Sequence, residues 1–474
     1  MKRIFTLCIA LTVLHHVSMG QSTWLKISTG AEFSSAIRSD GSLWLWGSNL
    51  NGQIANGEIG QTAVTEPFKL EGSNWVDVSC GAAHVIAIKD DGSLWGWGSN
   101  GVGQISGEAE SNVLSPFLID DEFEWLAIDA GQGHTLAIRS DSTLWGWGFN
   151  AFKQVTGTTS NNVLELFEID DSRDWVDIAA GGAHSLGLRS DGSIWGWGLS
   201  ANGQIGPIEG TEVLLPRRIG PDSLIWQSVS AGFEYSVAIS EDGHLYALGF
   251  NGNGQLGVGD LQQRAAWTLV NDTTTWHRVN CGSAYCMAIT EEGQLYGWGA
   301  NLQGACGVDN NEANILKPLL VDEDITWTAV SAATGLGVSG SVFGFHTLAL
   351  KEDSDFICAT GANYIGQLGN GMTESISNFE CETGVIETSV AHRQVHDVEV
   401  AIYPQPAVDE CFVTVKDVFI TSWRIMDVNG MVLAHTEENN ADNINIDLSK
   451  WPSGNYILGL FTDKGLINKV IVKQ

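Results

Sequence analysis

Apolar and polar residues alternate along Trp75-Val76-Asp77-Val78-Ser79 and again along His84–Lys89, a period of two that predicts half-buried strands. Asp91-Gly92 follows, a two-residue turn whose positive φ matches the twist of a hairpin. Leu94-Trp95-Gly96-Trp97-Gly98 reads as a third strand, its glycines permitting close backbone approach beside large indoles. Beyond the turn Asn100-Gly101-Val102-Gly103-Gln104 and a loop of variable sequence, a fourth strand is expected around Pro116-Phe117-Leu118-Ile119.

This four-strand unit recurs along the chain. Trp24, Trp75, Trp125, Trp175, Trp226, Trp276 and Trp327 open successive units, with gaps of 51, 50, 50, 51, 50 and 51 residues. A Trp-Gly step marks the third strand at Trp46, Trp97, Trp147, Trp197 and Trp298; Leu248 and Thr360 take that slot in units five and seven, each still followed by Gly. A four-stranded unit buries its faces by stacking radially on its neighbours, so the expected fold is all-β, a seven-bladed propeller spanning residues 21–385. A linear solenoid would need polar end caps, and none is visible in the sequence.

The shared pattern, GxxHxxxIxxDGxLWxWGxNxxGQ, resembles the regulator-of-chromosome-condensation repeat over roughly residues 24–385. The resemblance implies a seven-bladed propeller. The family includes the nuclear exchange factor for the small GTPase Ran and a secreted bacterial propeller that inhibits β-lactamases. Three departures leave ring closure open. Ala305 stands where other units carry Gln53, Gln104, Gln154, Gln204, Gln255 and Gln367. Unit seven has about eleven extra residues before His346, including Thr334 to Gly340. Its closing segment, Met372 to Gly384, lacks the Pro-x-x-apolar signature.

The periodicity stops at a polar linker, residues 386–399, and a different alternation begins at Val400. Strands punctuated by Asn429-Gly430 and Ser453-Gly454 predict a compact β-sandwich over residues 400–474. The order of its motifs resembles the C-terminal sorting domain of the bacterial type IX secretion system: Tyr403-Pro404-x-Pro406, the Asp427-x-x-Gly430 turn, Gly454-x-Tyr456, and a basic last strand with Lys469. Gln405 departs from the more usual Asn. By the resemblance, these residues form the sorting signal, the secretion machinery is a partner, and the domain is often removed after export.

The N-terminus supports the same address. Lys2 and Arg3 precede the apolar stretch Ile4 to Val13, which is too short to span a bilayer, and Ser18-Met19-Gly20 offers small residues for cleavage. Residues 1–20 therefore read as a signal peptide, and no later segment reads as a membrane span. The expected location is secreted or on the outer cell surface. A formal charge of −33, from 56 acids against 23 bases, argues against a nucleic-acid partner and favours solubility. Of eight cysteines, Cys8 leaves with the signal; Cys281 with Cys286, or Cys358 with Cys381, are the candidate pairs.

Chemistry is harder to find. One repeat slot holds Phe33, His84, His134, His184, Tyr235, Tyr285 and His346. Four histidines on a ring invite a metal reading, but Phe and Tyr in the same slot ask for a flat ring that packs. The aspartates Asp40, Asp91, Asp191 and Asp242 read as hairpin turns, since none sits in a loop with several oxygen ligands. No G-x-S-x-G elbow, HExxH or phosphate-binding glycine loop occurs, so no catalytic residue, metal site or cofactor is assigned.

The expected role is non-enzymatic binding of an extracellular protein or surface glycan. An inhibitor like the β-lactamase-binding relative, or an enzyme of unknown reaction, are the alternatives. Strand direction puts the second-to-third turns and the blade connectors on one face, rich in acids such as Asp120, Asp121, Asp170 and Asp171. The loops after the third strands vary most and lie on the other face, where the partner is expected. The candidate contacts there are Glu58, Glu108, Glu110, Asp260, Trp267 and Asp309, with Trp267 as the aromatic anchor.

Overall fold

The computed structural model describes residues 23–60, 63–107, 111–158, 161–271, 273–308, 312–335, 344–352, 354–383, 400–404, 406–416, 419–426, 432–436, 441–462 and 465–473. The signal segment 1–20, the linker 386–399, most of the unit-seven insertion, Gln405, and Asp427 with its turn to Gly430 lie outside the described residues.

Ser22–Val385 form one compact unit. Among its described residues are seven four-stranded sheets, each pairing its strands antiparallel in chain order. In blade 2 the strands are Trp75–Cys80, His84–Lys89, Leu94–Ser99 and Asn112–Asp120. The first strand of each blade lies against the first strands of both neighbours, and Trp327–Ala332 of blade 7 meets Trp24–Thr29 of blade 1. First strands therefore line the axis, fourth strands form the rim, and the ring is closed.

The first strands do not alternate simply. Trp75 pairs with Lys89 and Asp77 with Ile88, leaving Val76 bulged out of the ladder. Trp75 and Val78 are buried, whereas Val76 is 52% exposed. The same bulge recurs after Trp24, Trp125 and Trp175.

In blades 2, 3 and 4 the leading indole meets the Trp-Gly indole edge to face. Trp75 meets Trp97 at 5.7 Å, Trp125 meets Trp147 at 6.4 Å and Trp175 meets Trp197 at 6.2 Å. Such pairs add about 0.5–1.5 kcal/mol beyond the area they bury. Two blades lack the second indole, and both replace it from the fourth strand. In blade 5, where Leu248 fills the slot, Trp267 packs on Trp226 at 4.9 Å. In blade 7, where Thr360 fills it, Phe379 packs on Trp327 at 5.1 Å.

Neighbouring blades are joined by a repeated hydrogen-bond set. The indoles of Trp97, Trp147 and Trp197 donate to the carbonyls of Gln53, Gln104 and Gln154 in the preceding blade, at 3.0, 2.9 and 2.8 Å. The glutamine side chain holds that turn by accepting an N–H two residues back, as Gln104 does from Val102 and Gln154 from Phe152. The seam between blades 7 and 1 uses the same set. Trp46 and Ser34 both donate to the Gln367 carbonyl, at 2.9 and 2.8 Å. Blade 6, lacking the glutamine, makes its turn with a short 3-10 segment, Leu302–Gly304, and blade 7, lacking the indole, donates from Thr360 to the Gly304 carbonyl. The two departures fall on one interface and offset each other.

Blade 7 completes its sheet with Ile376–Thr383 despite the missing signature. A disulfide between Cys358 and Cys381 ties its third and fourth strands. The other candidate pair stays reduced: Cys281 and Cys286 face each other in register with sulfurs 3.2 Å apart. They, with Cys80, Cys306 and Cys411, are buried thiols.

Glycine placement carries a measurable consequence. A Cβ on Gly81 would lie 2.2 Å from the His84 ring and 2.5 Å from the Gly131 carbonyl of the next blade. Neither can retreat, because the imidazole is fully buried and the carbonyl accepts the Ala82 N–H. Gly81→Ala is expected to destabilise the protein by about 1–3 kcal/mol. Gly101→Ala, where a Cβ meets nothing, should change stability by less than about 0.5 kcal/mol; urea midpoints of the two variants check the contrast.

The C-terminal segment is a two-sheet sandwich. Val400–Tyr403, Glu410–Val415 and Asn443–Asp447 form one sheet; Val432–Thr436, Ile420–Met426, Gly454–Thr462 and Gly465–Lys473 form the other. Its own core includes Val413, Ile425, Ile446, Leu458 and Ile471.

Candidate binding surfaces of the ring

The ring-filling slot is structural on every blade. Phe33, His84, His134, His184, Tyr235, Tyr285 and His346 are fully buried. The histidines reach one blade ahead: Nε2 of His84, His134 and His184 pairs with the hydroxyls of Thr135, Ser185 and Ser236 at 3.2, 3.0 and 2.9 Å. His346 closes the circle on Ser34 at 2.9 Å. Burial pushes all four imidazoles down to about 3, so they are neutral. Tyr235 and Tyr285 make the same step with phenol donors to the Tyr285 and His346 carbonyls. Four uncharged rings, each turned to a hydroxyl of a different blade, are joints between sheets and do not converge on one point.

The turn aspartates are likewise committed. Asp91 Oδ1 accepts the Ser93 N–H at 3.0 Å and the Ser93 hydroxyl at 2.5 Å. That hydroxyl oxygen accepts the Trp95 indole at 2.8 Å. Asp141 with Thr143 and Asp191 with Ser193 repeat the relay. These hydroxyl bonds hold the carboxyls of Asp91, Asp141 and Asp191 below the usual carboxylate range. Asp141 Oδ2 pairs with Arg173 at 2.9 Å, and the neighbouring connectors carry Asp121 and Asp171, both exposed. Three bases of this turn face are drawn inward: Lys89, Arg139 and Arg189 lie over the paired tryptophans of their blades, with centroid distances of 4.3, 3.6 and 4.0 Å to Trp95, Trp145 and Trp195, whereas Arg173 stays exposed. The acids remain outside.

On the opposite, loop face, the predicted contacts fare unevenly. Glu108, Glu110 and Asp309 lie outside the described residues. Glu58 is exposed. Asp260 braces its own loop, accepting from Gln262 and pairing with Arg264 at 2.6 Å. Trp267 is half-buried, donates to the Ile219 carbonyl at 3.2 Å and stands in for the indole missing at Leu248. Its role as a free anchor is corrected: the ring serves the blade core. The signal was in the sequence, since the one unit with a Trp on its fourth strand is a unit that lost its Trp-Gly indole. Ile59, Leu261, Leu302 and Tyr364 project most, exposed by 47–57% on the third-to-fourth loops of blades 1, 5, 6 and 7, and Phe152 of blade 3 is exposed by 36%. Blades 5, 6, 7 and 1 are consecutive around the ring.

In the C-terminal sandwich, Tyr403, Pro404, Pro406, Gly454 and Lys469 are exposed, whereas Tyr456 is buried against Trp451. Lys473 is also buried, its ammonium donating to the Leu448 and Trp451 carbonyls at 2.6 Å. Gly430 lies outside the described residues.

A closed ring of seven four-stranded blades joined by ring-to-hydroxyl bonds defines a β-propeller whose surface differs only in its loops and bulges. Residues 10–341 match the family model described as the RCC1-like domain, and the chain belongs to that family. Residues 401–474 match the secretion system C-terminal sorting domain, which marks the chain for export to the cell surface or beyond. The X-linked retinitis pigmentosa GTPase regulator homolog of Caenorhabditis elegans is 39% identical over 83 residues, 17% of this chain and 6% of that protein. The Protein RCC2 homolog of Xenopus laevis is 35% identical over 91 residues, 19% of this chain and 18% of that protein. The chain thus spans a small part of these curated relatives. Among solved structures, Prp20p from Saccharomyces cerevisiae aligns with a TM-score of 0.64 at 16% identity, covering 80% of this chain and 90% of that one. Human WBSCR16 aligns with a TM-score of 0.60 at 22% identity, covering 66% and 86%. Among the described residues no helix is long and apolar enough to cross a membrane.

Proposed function

We propose that the protein is an extracellular binding propeller: it enters the export route on a signal peptide at residues 1–20, is sorted by residues 400–474, and engages a partner protein through the loop face of residues 21–385. The supporting observation is the arc of Ile59, Leu261, Leu302 and Tyr364, four large apolar side chains held in water by adjacent blades. Exposed apolar groups gathered on variable loops are the usual mark of a recognition surface, and a tyrosine among them is a favoured anchor. The repeated histidines and turn aspartates offer no competing chemistry, because they are spent on joints and turns.

The experiment is capture from the native medium and outer surface with three immobilised proteins. The parent and a variant with reversed charges at Asp120, Asp121, Asp170 and Asp171 should retain the same protein; I59S/L261S/L302S/Y364S should lose it. Capture that survives the loop changes but not the charge reversals would place recognition on the turn face and refute this reading.

A further inference from the structure

The bulges after the leading tryptophans have a second consequence. They lift Leu25, Val76, Leu126 and Val176 out of the innermost strands of blades 1–4, at the strand ends nearest the connectors. These side chains are 62, 52, 60 and 55% exposed. In blades 5–7 the same position holds Gln227, His277 and Thr328, also exposed. One half of the channel mouth is therefore apolar and the other half polar. Phe123 and Ile225, exposed by 47 and 50% on connectors, extend the apolar half outward. No packing reason requires aliphatic residues there, since polar ones occupy the equivalent places without disturbing the sheets.

What surrounds the arc narrows the occupant. The turn face presents the exposed carboxylates of Asp121 and Asp171 beside the turn aspartates, while Lys89, Arg139 and Arg189 are folded onto tryptophans and Arg173 pairs with Asp141, so acids outnumber free cations there. Anionic lipid headgroups and phosphate backbones are repelled by such a field. A protein segment that alternates aliphatic and cationic side chains fits both features at once, seating its apolar residues on the arc and its ammonium or guanidinium groups among the carboxylates. We propose that the apolar half of the channel mouth is a second docking surface, independent of the loop face, for a cationic, aliphatic-rich segment of another protein.

Three labelled peptides test this on the purified full-length protein by fluorescence anisotropy: alternating leucine and lysine, serine and lysine, and leucine and glutamate. The leucine–lysine peptide should bind about tenfold more tightly than serine–lysine, and leucine–glutamate should not bind. In L25Q/V76T/L126Q/V176T the leucine preference should shrink to within about twofold. In Q227L/H277L, which extends the arc around the mouth, the preference should grow, giving a gain that misfolding cannot mimic. The loop variant I59S/L261S/L302S/Y364S should bind the peptides as the parent does, whatever becomes of loop-face capture. An unchanged preference in the fourfold arc variant, tight binding of leucine–glutamate, or loss of binding in the loop variant would each overturn the proposal.

Discussion

Deletion of residues 400–474 should leave the protein in the periplasm, with the surface and culture fractions depleted at least about tenfold on immunoblots. The expectation rests on two observations: the segment matches a sorting domain, and its core is built from its own residues. The propeller is complete before it begins, since the last rim strand ends at Thr383. The truncated protein should therefore keep its β-sheet circular dichroism and cooperative unfolding while losing its destination. Normal surface delivery without the segment would show that sorting resides elsewhere.

Acid should unfold the propeller well before its surface carboxylates are protonated. Four imidazoles titrate near 3 in the fold and near 6.5 when unfolded, so over that window the unfolded chain binds more protons. Stability is then lost as pH falls from about 6.5 toward 3, by up to about 1.4 kcal/mol per pH unit for each histidine. Asp177, which burial beside the axis raises to about 7, acts with the opposite sign, because the fold holds its proton more tightly than the unfolded chain does. Asp129 is raised for the same reason. Glu234 is raised by burial as well, and three carboxyls do not offset four imidazoles. His134→Phe copies what blade 1 already has at Phe33, and Ser185 still donates to the Gln154 carbonyl at 2.7 Å. This variant should lose less stability than the parent between pH 7.5 and 4.5 in urea titrations; equal losses would mean that the buried imidazoles are not what acid attacks.

The repeat made most of this molecule legible. Seven tryptophans at one spacing announce seven sheets, and a slot shared by His, Tyr and Phe announces a packed ring with an optional polar tip. Both follow from periodicity, which is local. The misread features depend on how strands pair and which neighbours they meet. Trp267 looked free because its slot lies outside the consensus, yet the vacancy it fills is at Leu248, in the strand beside it. Val76 and its equivalents looked like ordinary strand residues because a bulge changes facing without changing composition. Closure looked doubtful because the seventh unit departs from the pattern, although the seam is made by positions that unit keeps, His346 and the Gln367 carbonyl, meeting Ser34 and Trp46 of blade 1.

That seam also sets a timetable. His134 and Ser185 are 51 residues apart, and Trp147 and Gln104 are 43 apart, whereas Ser34 waits for Gln367, 333 residues downstream. Six boundaries can form as soon as two successive blades exist; the seventh cannot. Joining ends so far apart also costs about 1.7 kcal/mol more in chain entropy than joining adjacent units. Until the final blade arrives, the flanks of the first one, Trp46 among them, have no covering, and the growing protein is an open arc with an adhesive end. The last blade is therefore the step on which a finished ring depends.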